Sequence, residues 1–187
     1  MIGVRGILNI KKKPVYLLLC IILIVLIAYN VRQPQSIKTK PYDGRNLSIG
    51  IIGEIPKVRE KQVKFTKIQF SDLEKEQFDS NYDAIFITKE NLSEAAQAKY
   101  ASIYKKSNIP FFFIQTKKSF PPFTLEELSY EDAADSKDLT YATGILSNGD
   151  NITAWRYGLY NDIENEDNIK VVFTNIFQTI SEKVEAK

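Results

Sequence analysis

Histidine is absent from the 187-residue sequence, and cysteine occurs once, as Cys20. Because Ser-His-Asp and Cys-His centres both need a histidine, the sequence excludes both kinds of catalysis. Structural zinc sites need several histidine or cysteine ligands, and an intramolecular disulfide needs two cysteines, so these are excluded as well. The remaining chemistry rests on carboxylates, lysines, amides and aromatic rings, or on binding without catalysis.

Charge is missing from one long stretch, residues 15–29, which are all apolar or aromatic and follow Lys11, Lys12 and Lys13. A membrane-spanning helix needs roughly 20 apolar residues, with about 17 as the lower limit, so the stretch is short. Flanking lysines and tyrosines compensate, because their polar ends reach the headgroup region. The pattern predicts an uncleaved transmembrane anchor at residues 14–31, with the span running from Val15 to Val31.

Two other interpretations of this stretch are open. A cleaved signal peptide needs small residues at the exit of the apolar run, whereas Ala28 is followed by Tyr29 and Asn30. A lipid-modified cysteine needs a small residue before it, whereas Leu19 precedes Cys20 in the middle of the run. Both observations favour the anchor.

The anchor divides the chain into a basic tail (residues 1–13), a polar linker (32–45) and an α/β domain (46–187). Positive residues are equally frequent on the two sides of the anchor, but the lysines at 11–13 lie directly at the membrane edge. This placement favours the tail inside and the domain outside. We therefore expect a single-pass protein of the cell membrane, and the lysine, isoleucine and asparagine content is compatible with a bacterial envelope.

The α/β domain has a regular alternation of elements. Apolar runs predict strands at residues 47–53, 63–70, 82–88 and 109–116. N-cap patterns predict helices that begin at Ser71, Asn91 and Thr124, Asn148-Gly149 predicts a β-hairpin, and residues 169–184 have the spacing of an amphipathic helix. The series predicts an open, mostly parallel, three-layer sheet of five or six strands with a C-terminal hairpin and helix.

This architecture resembles that of flavodoxin-like and response-regulator receiver domains. Receiver chemistry needs a phosphorylatable aspartate at the end of the third strand, where this sequence has Thr88. The resemblance therefore implies a fold and no phospho-acceptor function.

Candidate binding residues follow from the predicted sheet, because ligands of such sheets bind beyond the carboxyl ends of the strands. Hairpin aromatics are a second candidate surface, since exposed rings can stack on a sugar or a partner side chain, although strands also select aromatics for packing. The predicted ligand-binding residues are Glu54, Thr88, Lys89, Glu90, Gln115 and Thr116 at the strand ends, and Trp155 and Tyr157 on the hairpin.

Several sequence motifs do not match the pattern of a known site. Gly50 and Gly53 fit neither the dinucleotide-binding nor the phosphate-loop pattern, and the acidic run at 161–168 lacks the glycine and the final glutamate of a calcium loop. We therefore expect no metal, no cofactor and no nucleic acid. Basic residues outnumber acidic ones between Lys38 and Lys67, a distribution suited to anionic headgroups or envelope polymers as well as to a solvated face.

Two hypotheses for function remain. The first is a non-catalytic, membrane-tethered extracytoplasmic module that binds a protein or an envelope ligand. The second is a hydrolase or transferase of the envelope that works without histidine, through carboxylates such as Glu54 and Glu90.

Overall fold

The computed structural model describes residues 12–32, 35–75, 78–148 and 151–183. The chain forms two compact units, residues 1–35 and residues 36–187.

Helix α1 (Lys12–Arg32) lies in the first unit. Its side chains from Pro14 to Ile27 are exposed and uncharged, and apolar residues occur on every side of the helix. Among the residues that the structure describes, no helix has both the length and the apolar character required to cross a membrane. The transmembrane helix predicted from Val15 to Val31 is therefore not supported.

The second unit is built on one six-stranded sheet in the order β2-β1-β3-β4-β5-β6. The first four strands are parallel, β5 is antiparallel to β4, and β6 is antiparallel to β5. The predicted open α/β sheet of five or six strands with a C-terminal hairpin is confirmed. The strands are β1 (Leu47–Ile52), β2 (Val63–Lys67), β3 (Ala84–Ile87), β4 (Phe111–Ile114), β5 (Ala142–Asn148) and β6 (Asn151–Tyr157).

Helices cover both faces of the sheet, which explains why β3 and β4 read as continuous apolar runs with all four side chains buried. On one face, Phe113 of β4 stacks on Phe123 with ring centroids 3.5 Å apart. On the other face, Phe86 of β3 stacks on Phe173 and Phe177 at 6.2 and 6.3 Å. The helices are α2 (Phe70–Leu73), α3 (Leu92–Ala95), α4 (Ala98–Lys106), α5 (Pro121–Thr124) and α6 (Glu166–Lys183).

The predicted N-cap of α2 is wrong by two residues, because the N-cap is Gln69 and not Ser71. The helix begins at Phe70 because the backbone N–H of Gln69 donates to the Asp72 carboxylate at 2.8 Å, so Ser71 lies inside the helix. The predicted start of α5 is also wrong, because Pro121 and Pro122 occupy the first helical positions and the helix ends at Thr124.

The helix predicted after Asn91 is divided into α3 and α4. The Asn91 side chain makes no cap hydrogen bond; its amide instead lies 3.5 Å from the Ile52 carbonyl and 3.5 Å from the Thr88 hydroxyl. The apolar side chains of this region face the core, since Leu92, Tyr100 and Tyr104 are buried.

A buried polar cluster, which we call the Glu60 clasp, ties the segment before β1 to helix α6. The fully buried Glu60 carboxylate accepts hydrogen bonds from the Thr174 hydroxyl at 2.6 Å and from the Tyr42 backbone N–H at 3.2 Å. The Arg59 guanidinium donates to Thr39 at 2.8 Å and to Thr174 at 3.0 Å. Residues 39–42 are therefore fixed against α6 before the chain enters the sheet.

Candidate functional site

The carboxyl ends of β1, β3 and β4 lie side by side at one edge of the sheet, because neighbouring parallel strands end in the same direction. Strand β5 is antiparallel, so its first residues reach this same edge, and the segment after β6 does so as well. The edge therefore combines residues from five strand ends. Two adjoining clefts open there.

The first, which we call the inner cleft, has a volume of about 630 Å³. It lies between the ends of β1 and β3 and the first turns of α6. Four of the predicted site residues line it, namely Glu54, Thr88, Glu90 and Gln115.

The second, the outer cleft, has a volume of about 660 Å³ and is bounded by the segments that follow β3, β4 and β6. Both volumes are in the range of small-ligand sites. Of the predicted residues, Lys89 and Gln115 line the outer cleft. Gln115, Tyr141 and Glu164 line both clefts, so these three residues form their common wall.

Thr88 organises the inner cleft. Its hydroxyl accepts a hydrogen bond from the Glu54 backbone N–H at 3.3 Å and lies 3.0 Å from the Glu90 carboxylate. Gly53 has φ of +113°, and a Cβ on this residue would lie 1.8 Å from the Thr88 hydroxyl oxygen. Only glycine therefore permits this approach of the β1 end to the β3 end.

Gln115 has φ of +60°, in the left-handed region that costs energy for a residue other than glycine. Asp162, which lines the outer cleft, is also left-handed at +55°. Strained residues of this kind concentrate at binding and catalytic sites, where the surrounding structure holds them in place. The common wall and the outer cleft thus contain two of the three left-handed non-glycine residues of the described chain.

Thr116, another predicted site residue, is fully buried and lines neither cleft. Its hydroxyl lies 3.1 Å from the Tyr130 hydroxyl and accepts a hydrogen bond from the Lys118 backbone N–H at 3.0 Å. Thr116 therefore shapes the loop that carries the outer cleft.

The outer cleft has charges of both signs. Lys89 and Lys117 are exposed on it, and Lys118 is paired with Asp135 at 2.8 Å. The hydrogen bond from Lys118 lowers the pKa of Asp135, so this carboxylate is held in its ionised form. Asp162 and Glu164 add two more carboxylates at the wall formed after β6.

Tyr141 was not among the predicted site residues, although it is the buried centre of the common wall. It is only 9 % exposed. Burial, with a smaller contribution from the Glu164 charge, raises the pKa of Tyr141 to about 12. The phenol is therefore a neutral hydrogen-bond donor at physiological pH. The predicted hairpin could have placed Tyr141 at the site, because an antiparallel strand that follows β4 must start at the edge where the parallel strands end.

Trp155 and Tyr157 lie on β6 and line neither cleft. The Trp155 ring stacks on Phe112 with centroids 6.3 Å apart, and the Tyr157 hydroxyl lies 2.8 Å from the hydroxyl of Thr179 in α6. The structure thus separates the hairpin aromatics from the strand-end residues and packs them against the α6 face.

No metal centre forms in the described ranges, where no group of three histidine, cysteine or acidic side chains is arranged to hold an ion. Comparison with family models, with curated proteins and with solved structures gave no match.

Proposed function

We propose that this protein is a binding module whose ligand occupies the strand-end clefts. The observation that carries the proposal is the convergence of five strand ends on two adjoining clefts that share Gln115, Tyr141 and Glu164. The strand order β2-β1-β3-β4 equals the first four positions of the flavodoxin-like order, in which ligands bind between the ends of β1 and β3. The inner cleft opens beside those two ends.

The charges favour a ligand that is itself charged, such as a protein segment or an envelope polymer. Lys89 and Lys117 suit carboxylate or phosphate groups, whereas Asp162 and Glu164 suit ammonium groups. The neutral Tyr141 phenol and the Gln115 amide can orient such a ligand by hydrogen bonds. Nothing in this set requires a nucleophile or a general base, so binding without catalysis accounts for it.

A titration followed by NMR tests this proposal. We would add an acidic peptide, a basic peptide or a soluble peptidoglycan fragment to the isotope-labelled full chain in detergent micelles. We expect shifts at Gln115 and Tyr141, and roughly ten-fold weaker binding in Lys117→Gln or Glu164→Gln, the loss of about one charged hydrogen bond. Lys64→Gln on β2 is the matched control.

Two outcomes would contradict the strand-end site. Shifts confined to Trp155 and Tyr157 would transfer the site to the hairpin aromatics. Equal affinity of Lys117→Gln, Glu164→Gln and the Lys64→Gln control would show that the cleft charges do not contact the ligand.

We also propose that the segment of residues 14–31, of whose side chains the structure describes those of 14–27, tethers this module to the cell membrane, with the N-terminal tail inside and residues 46–187 outside. The exposed side chains from Val15 to Ile27 support this placement, because each Å² of apolar surface left in water costs about 25 cal/mol. Lipid removes that cost. Lys12 and Lys13 at the start of the helix suit the inner surface.

Two measurements test the tether and its orientation. Carbonate extraction should leave the full chain in the membrane fraction, and replacing Leu19 and Ile22 by lysine should release it. External protease should digest residues 46–187 on intact cells. Release of the unmodified chain by carbonate contradicts insertion, and protection from protease contradicts the outward orientation.

A second candidate function is carbohydrate or ester hydrolysis by two carboxylates. Its support is that Glu54 and Glu90 line the same cleft. Against it, the Glu54 side chain is 87 % exposed and pairs with Lys67 at 3.5 Å, whereas a general acid needs apolar surroundings. Turnover of a peptidoglycan fragment that disappears in both Glu54→Gln and Glu90→Gln would establish it over binding alone.

A further inference from the structure

Strand β6 forms one edge of the sheet, and its outer side is unpaired. The strand pairs with β5 over seven residue pairs, from Ala142 with Tyr157 to Asn148 with Asn151. Within the described residues, the backbone groups on the outer side of β6 make no hydrogen bond. A row of free N–H and C=O groups of this kind is a template for another strand.

The opposite edge, β2, has features that prevent such pairing. Strand β2 has five residues, and two of them, Lys64 and Lys67, are exposed lysines. Strand β6 has seven residues without lysine or proline, and its register with β5 has no bulge. Its one charged residue, Arg156, is bound to Asp138 at 2.9 Å and to the Ser136 hydroxyl at 3.1 Å.

The backbone of β6 is also held in place before any partner arrives. Trp155 stacks on Phe112, and Tyr157 is hydrogen-bonded to α6. On the opposite face of the strand, Ile152 packs against the core. Because the edge strand is already ordered, pairing with another strand costs little additional conformational entropy.

We propose that β6 pairs antiparallel with β6 of a second copy of this chain, about a two-fold axis at Ala154. Opposite residues then have equal distance from Ala154, so Thr153 faces Trp155 and Ile152 faces Arg156. The first pair is a β-branched residue beside an aromatic ring, which is favourable across strands. The aliphatic stem of Arg156 covers Ile152, whereas a parallel arrangement would place the two arginines side by side.

Closure of the assembly favours a second copy over an unrelated strand. Two sheets joined at β6 form one continuous sheet whose two outer edges are both β2. Since β2 has exposed lysines on its short edge, the assembly ends at the dimer. The unprotected edge of each copy is thereby covered. This inference is independent of the ligand proposed for the clefts.

Disulfide cross-linking tests the pairing directly. In a Cys20→Ser background, Ala154→Cys places two cysteines at the axis, where opposite Cα atoms of antiparallel strands are about 4.5–5.5 Å apart, within disulfide range. We expect mild oxidation of the full chain in micelles to give a covalent dimer. Thr66→Cys on the β2 edge is the matched control and should stay monomeric.

A charge exchange at the same exposed position gives an independent readout. Ala154→Lys places two ammonium groups opposite each other, and Ala154→Glu places two carboxylates there, so each variant alone should be monomeric by native mass spectrometry. A mixture of the two should form the mixed dimer. Ala154→Gln should keep the dimer, because it adds a similar volume without charge.

The proposal is overturned if the unmodified full chain is monomeric at every concentration tested. Equal cross-linking of Ala154→Cys and Thr66→Cys would also overturn it, because helix α1 or random collision would then explain the dimer. Dimers of undiminished stability in Ala154→Lys would place the contact elsewhere than β6.

Discussion

Strand β3 in the parallel half of the sheet and strand β6 in the hairpin differ in how they use their side chains. All four residues of β3 are buried, whereas β6 has three half-buried residues, Ile152, Trp155 and Tyr157, and four exposed ones. A strand between two helical layers contributes packing on both faces, so every residue stabilises the fold. The edge strand β6 contributes to packing mainly through its three half-buried residues, and its outer side is available for contacts.

The largest expected effect comes from Phe86→Ala in β3. The ring is fully buried and contacts rings from β2, β4 and α6, so its removal should lower the free energy of unfolding by about 3–5 kcal/mol. Urea unfolding followed by the fluorescence of Trp155, the single tryptophan, measures this change. Thr153→Ala in β6 is the control and should stay within about 0.5 kcal/mol of the unmodified chain. Equal losses of unfolding free energy in the two variants would contradict the difference in packing between β3 and β6.

Ion pairs of nearly equal length provide a second comparison. Arg45 and Asp83 pair at 2.8 Å near the start of the parallel half, where the Asp83 side chain is 7 % exposed and also accepts from the Ser48 backbone N–H. Asp83→Asn should cost about 1.5–3 kcal/mol, the value of hydrogen bonds to a charged group.

Arg156 and Asp138 pair at 2.9 Å beside the hairpin, with side chains 48 % and 74 % exposed. Asp138→Asn should therefore cost less than about 1 kcal/mol. Thermal unfolding of Asp83→Asn and Asp138→Asn, each in low and in high salt, measures the loss of stability at the buried and at the exposed ion pair. A larger loss at Asp138 than at Asp83 would contradict the ranking.

Gly144→Ala tests the contact at which the hairpin meets the parallel half. An added Cβ would lie 2.5 Å from Phe112 and 3.2 Å from Trp155, so we expect a loss of about 1–3 kcal/mol and a changed Trp155 emission. Phe112→Leu in the same chain should recover part of this loss, because the clashing ring atoms are removed. If the loss of unfolding free energy in the double variant equals the sum of the losses in the two single variants, the two residues are not in contact.

The smallest effect at neutral pH concerns two hairpin tyrosines. Burial raises the pKa of Tyr141 and of Tyr157 to about 12, against about 10 in an unfolded chain. Because the folded state favours the neutral phenols, the stabilisation is complete below about pH 10 and is lost as the pH rises towards 12. Urea unfolding at pH 7 to 11 should show this decline, and Tyr157→Phe should make it shallower. If stability falls with pH as steeply in Tyr157→Phe as in the unmodified chain, Tyr157 does not contribute to the decline.

The strands could be predicted because their signal is local and strong. Strands β3 and β4 are apolar throughout. The hairpin predicted from Asn148-Gly149 agrees with the pairing of Asn148 with Asn151, although residues 149–150 lie outside the described chain. Helix starts were less predictable, since several residues compete for one role. At α2, Gln69 occupies the N-cap position that the sequence pattern assigned to Ser71, and the Asp72 carboxylate accepts a hydrogen bond from its backbone N–H.

The candidate site was predictable only on its parallel side. Glu54, Thr88, Glu90 and Gln115 follow parallel strands, so the edge at which they meet is known once the strand order is assumed. Tyr141 and Glu164 come from the start of an antiparallel strand and from the segment after the hairpin. Their arrival at that edge depends on β5 pairing with β4, and this long-range pairing is not written in the local sequence.

The Glu60 clasp has a mechanical consequence under the membrane tether proposed above. A pull on the chain before residue 36 is transmitted through Thr39 and Tyr42 to Arg59, Glu60 and α6 before it reaches β1. The load is thereby divided among the hydrogen bonds of the clasp before it reaches the first strand of the sheet. Stretching forces would have to open this cluster before the sheet could begin to unravel.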